Sequence, residues 1–120
     1  MTNVLILEDN PAIASMLCVI AKRAKLDCLH FTTPSAAINE GAIEKANFII
    51  SDFEMPPENA LVLLKYMRDN NIKKPIIMHS AYQNVENMIL ESGYQDLINE
   101  YLEKPASVKR IIDIMNKYRG

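Results

Sequence analysis

The sequence predicts one α/β domain over residues 1–120, built on a five-stranded parallel sheet with strand order 2-1-3-4-5 and helices on both faces. Three observations carry this. Short apolar runs suited to strands recur at wide spacing. The stretches between them repeat apolar residues at i, i+3 and i+4, the rhythm of a helix with one buried stripe. The runs also differ in polarity as central and edge strands do.

The first strand is Val4 to Leu7. Asn10 then offers an N-cap and Pro11 a first helical residue. Ile13, Met16, Leu17, Ile20, Ala21 and Ala24 form the buried stripe of the helix that follows. The second strand is Cys28 to Phe31. Thr33 and Pro34 repeat the cap-then-proline signal for a weaker helix ending near Ala42. The third strand, Phe48 to Ser51, leads through a loop to a helix from about Ala60 to Asn70, with Ala60, Leu63, Leu64 and Met67 inward. The fourth strand is Ile76 to His79. Its helix starts near Asn84 and is expected to bury Val85, Met88 and Ile89. The fifth strand centres on Tyr101 and Leu102. The last helix follows Pro105, is capped at Ser107, and is expected to bury Val108, Ile111, Ile112 and Met115.

Each gap between strands is long enough for a crossover helix and far too long for a hairpin, so the sheet is parallel. The second and fifth runs, DCLHF and NEYLE, carry the most polar residues, whereas VLIL, FII and IIM are continuously apolar. That puts runs one, three and four in the middle, which fits the 2-1-3-4-5 order of the flavodoxin-like fold.

Composition narrows the function. The chain is 49% apolar and 23% charged with three glycines and six prolines, which excludes disordered and collagen-like classes. A formal charge of −2 provides no attraction to nucleic acid or to a membrane surface. No apolar stretch approaches a membrane span, and MTNVLILEDN lacks a basic leader, so a cytoplasmic location is expected. The two cysteines, Cys18 and Cys28, lack the spacing of a zinc site and are expected to be reduced and buried.

In this architecture ligands sit at the carboxyl ends of the strands. Glu8 and Asp9 follow strand one, Asp52 follows strand three, Ser80 follows strand four, and Lys104 with Pro105 follows strand five. Crowded carboxylates repel one another unless a cation sits among them. Mg²⁺ takes oxygen ligands of this kind, typically one or two carboxylates with waters and phosphate oxygens. A carboxylate can also attack phosphorus to form an aspartyl phosphate, with positive charge needed on the transferred oxygens. The set therefore suits phosphoryl transfer to an aspartate. It lacks a His–Ser or His–Cys pair, a Gly-rich phosphate loop and a histidine metal cluster.

LILEDN at 5–10, IISDFEMP at 49–56, HSA at 79–81 and YLEKP at 101–105 occur in order, each around the end of a strand. In this the chain resembles the receiver domain of bacterial response regulators over essentially its whole length. The resemblance implies that Asp52 is the phosphoacceptor and that Mg²⁺ is the cofactor, bound by Asp9 and Asp52, by Glu8 through water and by the backbone carbonyl of Glu54. It implies that Ser80 and Lys104 contact the phosphoryl group, that Ser80 and Tyr101 form the switch, and that the Lys104–Pro105 peptide is cis. The implied partners are a histidine kinase or histidine phosphotransfer protein upstream. Downstream, an output domain or partner protein would be reached through the fourth helix, fifth strand and fifth helix. Direct nucleic-acid or membrane contact is not expected, and a homodimer is one of the assemblies open to it. Such a protein is a signalling phosphoacceptor and not an enzyme acting on other substrates.

Singly, each residue has a plainer explanation. Glu8 and Asp9 could favour the helix that follows them, Asp52 could form a turn, Ser80 could cap a helix, and Lys104 could be solvated. Their joint placement on one rim is what favours function. His79 should point away from Ser80 by strand alternation and is read as a packing or surface residue. His30 is assigned no role.

The main alternative is a pseudo-receiver that signals without phosphate. A flavodoxin-like cofactor binder would want a hydroxyl- and Gly-rich phosphate loop after strand one, where EDNPA stands instead. A Mg²⁺-dependent phosphatase would want a second acid two residues after its aspartate, and Glu54 sits there. The chain also departs from the receiver pattern. Ala60 stands where the family usually has Gly, which suggests a different entry into the helix. The stretch between Ser80 and Lys104 is longer than usual, with GYQDLINE before strand five. Glu54 adds a carboxylate beside Asp52.

Overall fold

A computed structural model describes residues 2–81 and 84–120. In chain order its elements are β1 (Asn3–Leu7), α1 (Pro11–Arg23), β2 (Asp27–Phe31), α2 (Pro34–Asn39), α3 (Ala42–Lys45), β3 (Phe48–Ser51), β4 (Glu54–Met55), β5 (Glu58–Asn59), α4 (Leu61–Asp69), β6 (Ile76–Ser80), α5 (Val85–Ser92), a 3-10 turn (Gln95–Leu97), β7 (Glu100–Glu103) and α6 (Val108–Tyr118).

Val4, Leu5, Ile6 and Leu7 are all excluded from solvent, as expected for a strand with neighbours on both edges and helices on both faces. β1 pairs in parallel with β2 and β3, β3 with β6, and β6 with β7. The sheet order is β2-β1-β3-β6-β7, the expected 2-1-3-4-5 arrangement once the short β4–β5 pair is set apart. The edge strands β2 and β7 are the more exposed ones, as their polarity suggested.

Strand alternation sorts the core into two layers. Leu5, Leu7, Ile49 and Met78 face α2 to α5 and pack with Ala37, Ile43, Leu63, Met67 and Ile89. Val4, Ile6, Phe48, Ile50 and Ile77 face α1 and α6 and pack with Leu17, Ile20, Ile111, Ile114 and Met115. Each such side chain contributes about 1.5–3 kcal/mol by leaving water.

The caps follow the sequence signals. Asn10 Oδ1 accepts from the N–H groups of Ala12 and Ile13 at 3.0 and 3.2 Å. Thr33 Oγ1 accepts from Ala36 and Ser107 Oγ from Arg110. Caps of this kind are worth about 1 kcal/mol each.

Several expectations are corrected. The weak second helix is two pieces, α2 and α3, because Gly41 adopts φ +70° and turns the chain between them. Met88 on α5 and Val108 and Ile112 on α6 are exposed, and Ile114 takes the inward place on α6. A stripe read from spacing alone has the right period but leaves its phase to the packing partner. Cys18 and Cys28 are not free buried thiols. Their sulfurs are bonded to each other, and both residues are half-buried. Residues 82 and 83 of the 80–104 stretch lie outside the described residues; beyond them α5 ends at Ser92, Gly93 caps it with φ +84°, and the chain runs through the 3-10 turn into β7.

The loop after Asp52 holds a hairpin that periodicity did not suggest. β4 and β5 pair antiparallel around a cis Pro56–Pro57 peptide. Ala60 follows in an ordinary helical conformation, φ −65°, so no glycine is needed there. Asn59 Oδ1 accepts the Leu61 N–H at 2.9 Å and starts the helix in place of a side chain at 60.

Candidate functional site

Each functional side chain stands at or just past the carboxyl end of a strand: β1, β2 and β3 stop at one level, and β6 and β7 run two residues beyond it, so Ser80 is itself the last residue of β6. β1 ends at Leu7, paired with Ser51 of β3, and the Asp52 N–H donates to the Leu7 carbonyl at 2.8 Å. Glu8 and Asp52 therefore leave adjacent strands side by side. β6 and β7 end at Ser80 and Glu103, which are in register, and the Lys104 N–H donates to the Ser80 carbonyl at 2.9 Å. The Lys104–Pro105 peptide is cis.

The Lys104 ammonium lies between two acids. Nζ is 2.9 Å from Glu8 Oε2, 3.2 Å from Glu8 Oε1 and 3.0 Å from Asp52 Oδ2. Glu8 is buried at 1% exposure and Asp52 is nearly so at 8%. Asp52 Oδ1 accepts from the Phe53 N–H at 2.7 Å, so both of its oxygens have partners. Burial pushes the Glu8 carboxyl above its ordinary pKa, and its hydrogen bonds with Lys104 offset only part of that. For Lys104, burial acts to lower the pKa, but the hydrogen bonds and charges of Glu8 and Asp52 outweigh it and hold the group raised. Lys104 is thus a firmly charged cation within an acidic cluster.

Asp9 completes that cluster from the exposed side. One oxygen each from Glu8, Asp9 and Asp52 lie within 4.8 Å of one another, a donor set of three carboxylates that could hold a metal ion. All-oxygen, strongly anionic donors suit a hard divalent cation such as Mg²⁺.

The structure thus brings Glu8, Asp9, Asp52 and Lys104 together and sets Ser80 beside them through the backbone. Ser80 and Tyr101 line a cavity of about 390 Å³ under Val85 and Glu86 of α5. Burial raises the Tyr101 pKa, and the charge of Glu86 adds to it. Glu54 begins β4 and is half-buried beside a groove that Pro56 and Pro57 also line.

Three residues given little weight in the sequence support this rim. His30 Nε2–H donates to the Glu8 carbonyl at 2.8 Å, and the Glu8 N–H donates to the Phe31 carbonyl at 3.1 Å, so the end of β2 holds the acid loop. Its only signal was a polar residue near the end of an edge strand. Glu58 accepts from the Ser35 N–H at 3.0 Å and from its hydroxyl, docking the β4–β5 hairpin against the start of α2. Nothing in the spacing pointed to that pair. His79 points away from Ser80 into the α1–α6 side, buried at 2%, with no hydrogen-bond partner for Nδ1 among the described residues. Burial, reinforced by the charge of Lys104, pushes its pKa down to about 4.

The comparisons agree with this fold. Residues 4–116 match the family model of the response regulator receiver domain, and the chain belongs to that family. It is similar to the DNA-binding transcriptional regulator NtrC of Klebsiella pneumoniae, with 23% identity over 93% of this chain and 24% of that protein. It is similar to the cell cycle response regulator CtrA of Brucella ovis, with 24% identity over 98% of this chain and 51% of that protein. The chain therefore spans about a quarter to a half of these curated relatives. Among solved structures, the Francisella response regulator 1452 receiver domain superposes with a TM-score of 0.82 at 26% identity, covering 98% of this chain and 96% of that one. Vibrio cholerae chemotaxis protein CheY4 superposes with a TM-score of 0.82 at 19% identity, with 98% of each chain covered, a likeness of fold. Among the described residues, no helix is long and apolar enough to cross a membrane.

Proposed function

We propose that this receiver domain is a phosphoacceptor switch in a two-component or phosphorelay pathway, and that Asp52 takes a phosphoryl group from a phosphohistidine on a histidine kinase or phosphotransfer protein. The observation that carries the reading is the Lys104 ammonium held 3.0 Å from Asp52 Oδ2. A cation at that place, fixed by Glu8 before any phosphate arrives, is positioned to meet the charge on a transferring phosphoryl group at little reorganisation cost. A carboxylate oxygen of Asp52 attacks phosphorus, the phosphorus–nitrogen bond breaks, and its electron pair returns to the donor imidazole. Glu8, Asp9, Asp52 and the Glu54 carbonyl would hold Mg²⁺, which when bound neutralises phosphoryl oxygens.

Release of the switch follows from the same charges. Ser80 would donate its hydroxyl to the new dianion, and Tyr101 would turn into the cavity beside it. The changed surface would be α5, β7 and α6, where Met88, Leu90, Val108 and Ile112 already expose apolar side chains. An output domain or partner protein would read that surface. The chain's own catalysis would be limited to gaining and losing its phosphoryl group, in the cytoplasm.

The test is phosphorylation of the parent and Asp52→Asn by acetyl phosphate and by a phosphohistidine donor, scored as acid-labile, hydroxylamine-sensitive label. The parent should incorporate label only with Mg²⁺, and the variant should lose it. Label entering the variant at the parent rate overturns the site. No label in a folded parent overturns the phosphoacceptor reading in favour of a pseudo-receiver.

A further inference from the structure

We propose that Cys18 and Cys28 are a reversible dithiol–disulfide couple, oxidised by a low-molecular-weight disulfide of the glutathione class, that staples α1 to the edge strand β2. The two sulfurs are bonded in the structure, and the Cα atoms are 5.6 Å apart, within the ordinary range for a disulfide. Neither residue is fully buried. In a reducing compartment a bond of this kind is characteristically transient and redox-sensing, unlike the permanent staples of secreted domains. The cytoplasmic setting on which that contrast rests comes from the proposed function; the chemistry of the couple does not depend on phosphorylation.

The position of the bond supplies its consequence. β2 is an edge strand and has a ladder partner on one side only, β1. Cys28 lies opposite Val4 in that ladder. Two and three residues on, His30 and Phe31 hold the Glu8 carbonyl and N–H. On the other side of the bridge, α1 begins two residues after Asp9, and the Asn10 N–H donates to Glu8 Oε1 at 3.3 Å. The bridge therefore joins the two segments that grip Glu8. With it closed, β2 cannot separate from α1 without carrying the helix along. With it open, the edge strand is held by one ladder and by side-chain packing, the situation in which local opening is easiest.

The step balances as two thiol–disulfide exchanges. One cysteine thiolate attacks a sulfur of glutathione disulfide; that sulfur–sulfur bond breaks and one glutathione thiolate leaves. The second cysteine thiolate attacks the protein sulfur of the mixed disulfide, the Cys18–Cys28 bond forms, and the second glutathione leaves. Two electrons pass to the glutathione pair, and the two cysteine protons go to solvent or to the departing thiolates.

The experiment equilibrates the full chain in graded mixtures of reduced and oxidised glutathione, quenches in acid, alkylates and weighs the intact protein. Both alkylation sites should disappear together as the oxidised fraction rises and return together when it falls. Two alkylated cysteines in oxidised glutathione alone, arrest at the mixed disulfide, or a bond that excess reduced glutathione does not open would each overturn the couple. Amide hydrogen exchange then reads the staple. Oxidation should slow exchange at Glu8 and at residues 28–31 at least about threefold, with no such redox effect in a Cys18→Ser, Cys28→Ser double variant. Equal protection in the two redox states, or an effect that persists in the double variant, would overturn the staple even if the bond forms.

Discussion

Lys104 Nζ stands 3.0 Å from Asp52 Oδ2 and forms a second ion pair, at 2.9 Å, with Glu8. The lysine side chain is 13% exposed, so this is a largely desolvated three-charge cluster and not a surface pair. Removing one partner from such a cluster leaves the others uncompensated.

Lys104→Met should therefore destabilise the metal-free protein by about 3 kcal/mol. Added Mg²⁺ should restore part of this, raising the melting temperature more in the variant than in the parent, because an ion held by the folded acidic cluster would have no such site in the unfolded chain. Thermal melts with and without Mg²⁺ check both. An equal Mg²⁺ shift in the two proteins would remove the electrostatic argument.

Glu54 is half-buried two residues beyond Asp52. It adds negative charge where an anionic phosphodonor approaches, which lowers the local concentration of that donor. Glu54→Asn should accelerate phosphorylation by acetyl phosphate about threefold at low ionic strength, with the gain shrinking as salt is added. Identical initial rates would show that the carboxylate has no influence.

Glu100 gathers Tyr118, Lys117 and Arg110 of α6 onto the edge strand β7. The Tyr118 hydrogen bond, with those of Lys117 and Arg110, outweighs burial and pulls its pKa down to about 2, against 4.5 ordinarily. A lowered carboxylate pKa stabilises the fold above the unfolded value and loses that contribution as pH falls through the folded one. Glu100→Gln should melt lower than the parent at pH 7, and the gap should close progressively between about pH 4.5 and pH 2. Melting temperatures across that range check it, and because Arg110 and Lys117 are well exposed the gap should also narrow in high salt.

His79 behaves in the opposite chemical sense with the same sign. Its pKa of about 4, set first by burial and then by Lys104, lies below the ordinary 6.5. Between those values the unfolded chain binds more protons, so stability falls as pH drops from 6.5 towards 4. His79→Val should flatten that part of the stability curve and remove the unpartnered Nδ1. Urea unfolding at pH 7 and pH 4.5 gives the comparison, and a curve unchanged in slope would assign the acid sensitivity elsewhere.

The parts of the fold legible in the sequence are those set by local patterns. Asn10, Thr33 and Ser107 announce helix starts because a cap is a contact over two or three residues. Which strands lie inside the sheet follows from the polarity of whole strands, since a strand with two neighbours and two covered faces tolerates no charge. Glu8, Asp9, Asp52, Ser80 and Lys104 were legible for a related reason: parallel strands carry their carboxyl ends to one rim, so the residues there are placed once the topology is known.

What remained illegible depends on contacts between segments far apart in the chain. The inward face of α6 is decided by where β7 and α1 lie, which is why Ile114 is buried and Val108 and Ile112 are exposed. The Cys18–Cys28 bond, the His30 hold on Glu8 and the docking of Glu58 on Ser35 each join two elements whose separation only packing defines. The sequence alone determined the strands, which of them lie inside the sheet and the chemical character of the rim, because these follow from periodicity and polarity. The tertiary structure decided helix phase, the Lys104 bridge between Glu8 and Asp52 and the linkage of α1 to β2, because distances of a few ångströms between side chains arise only when the layers close on one another.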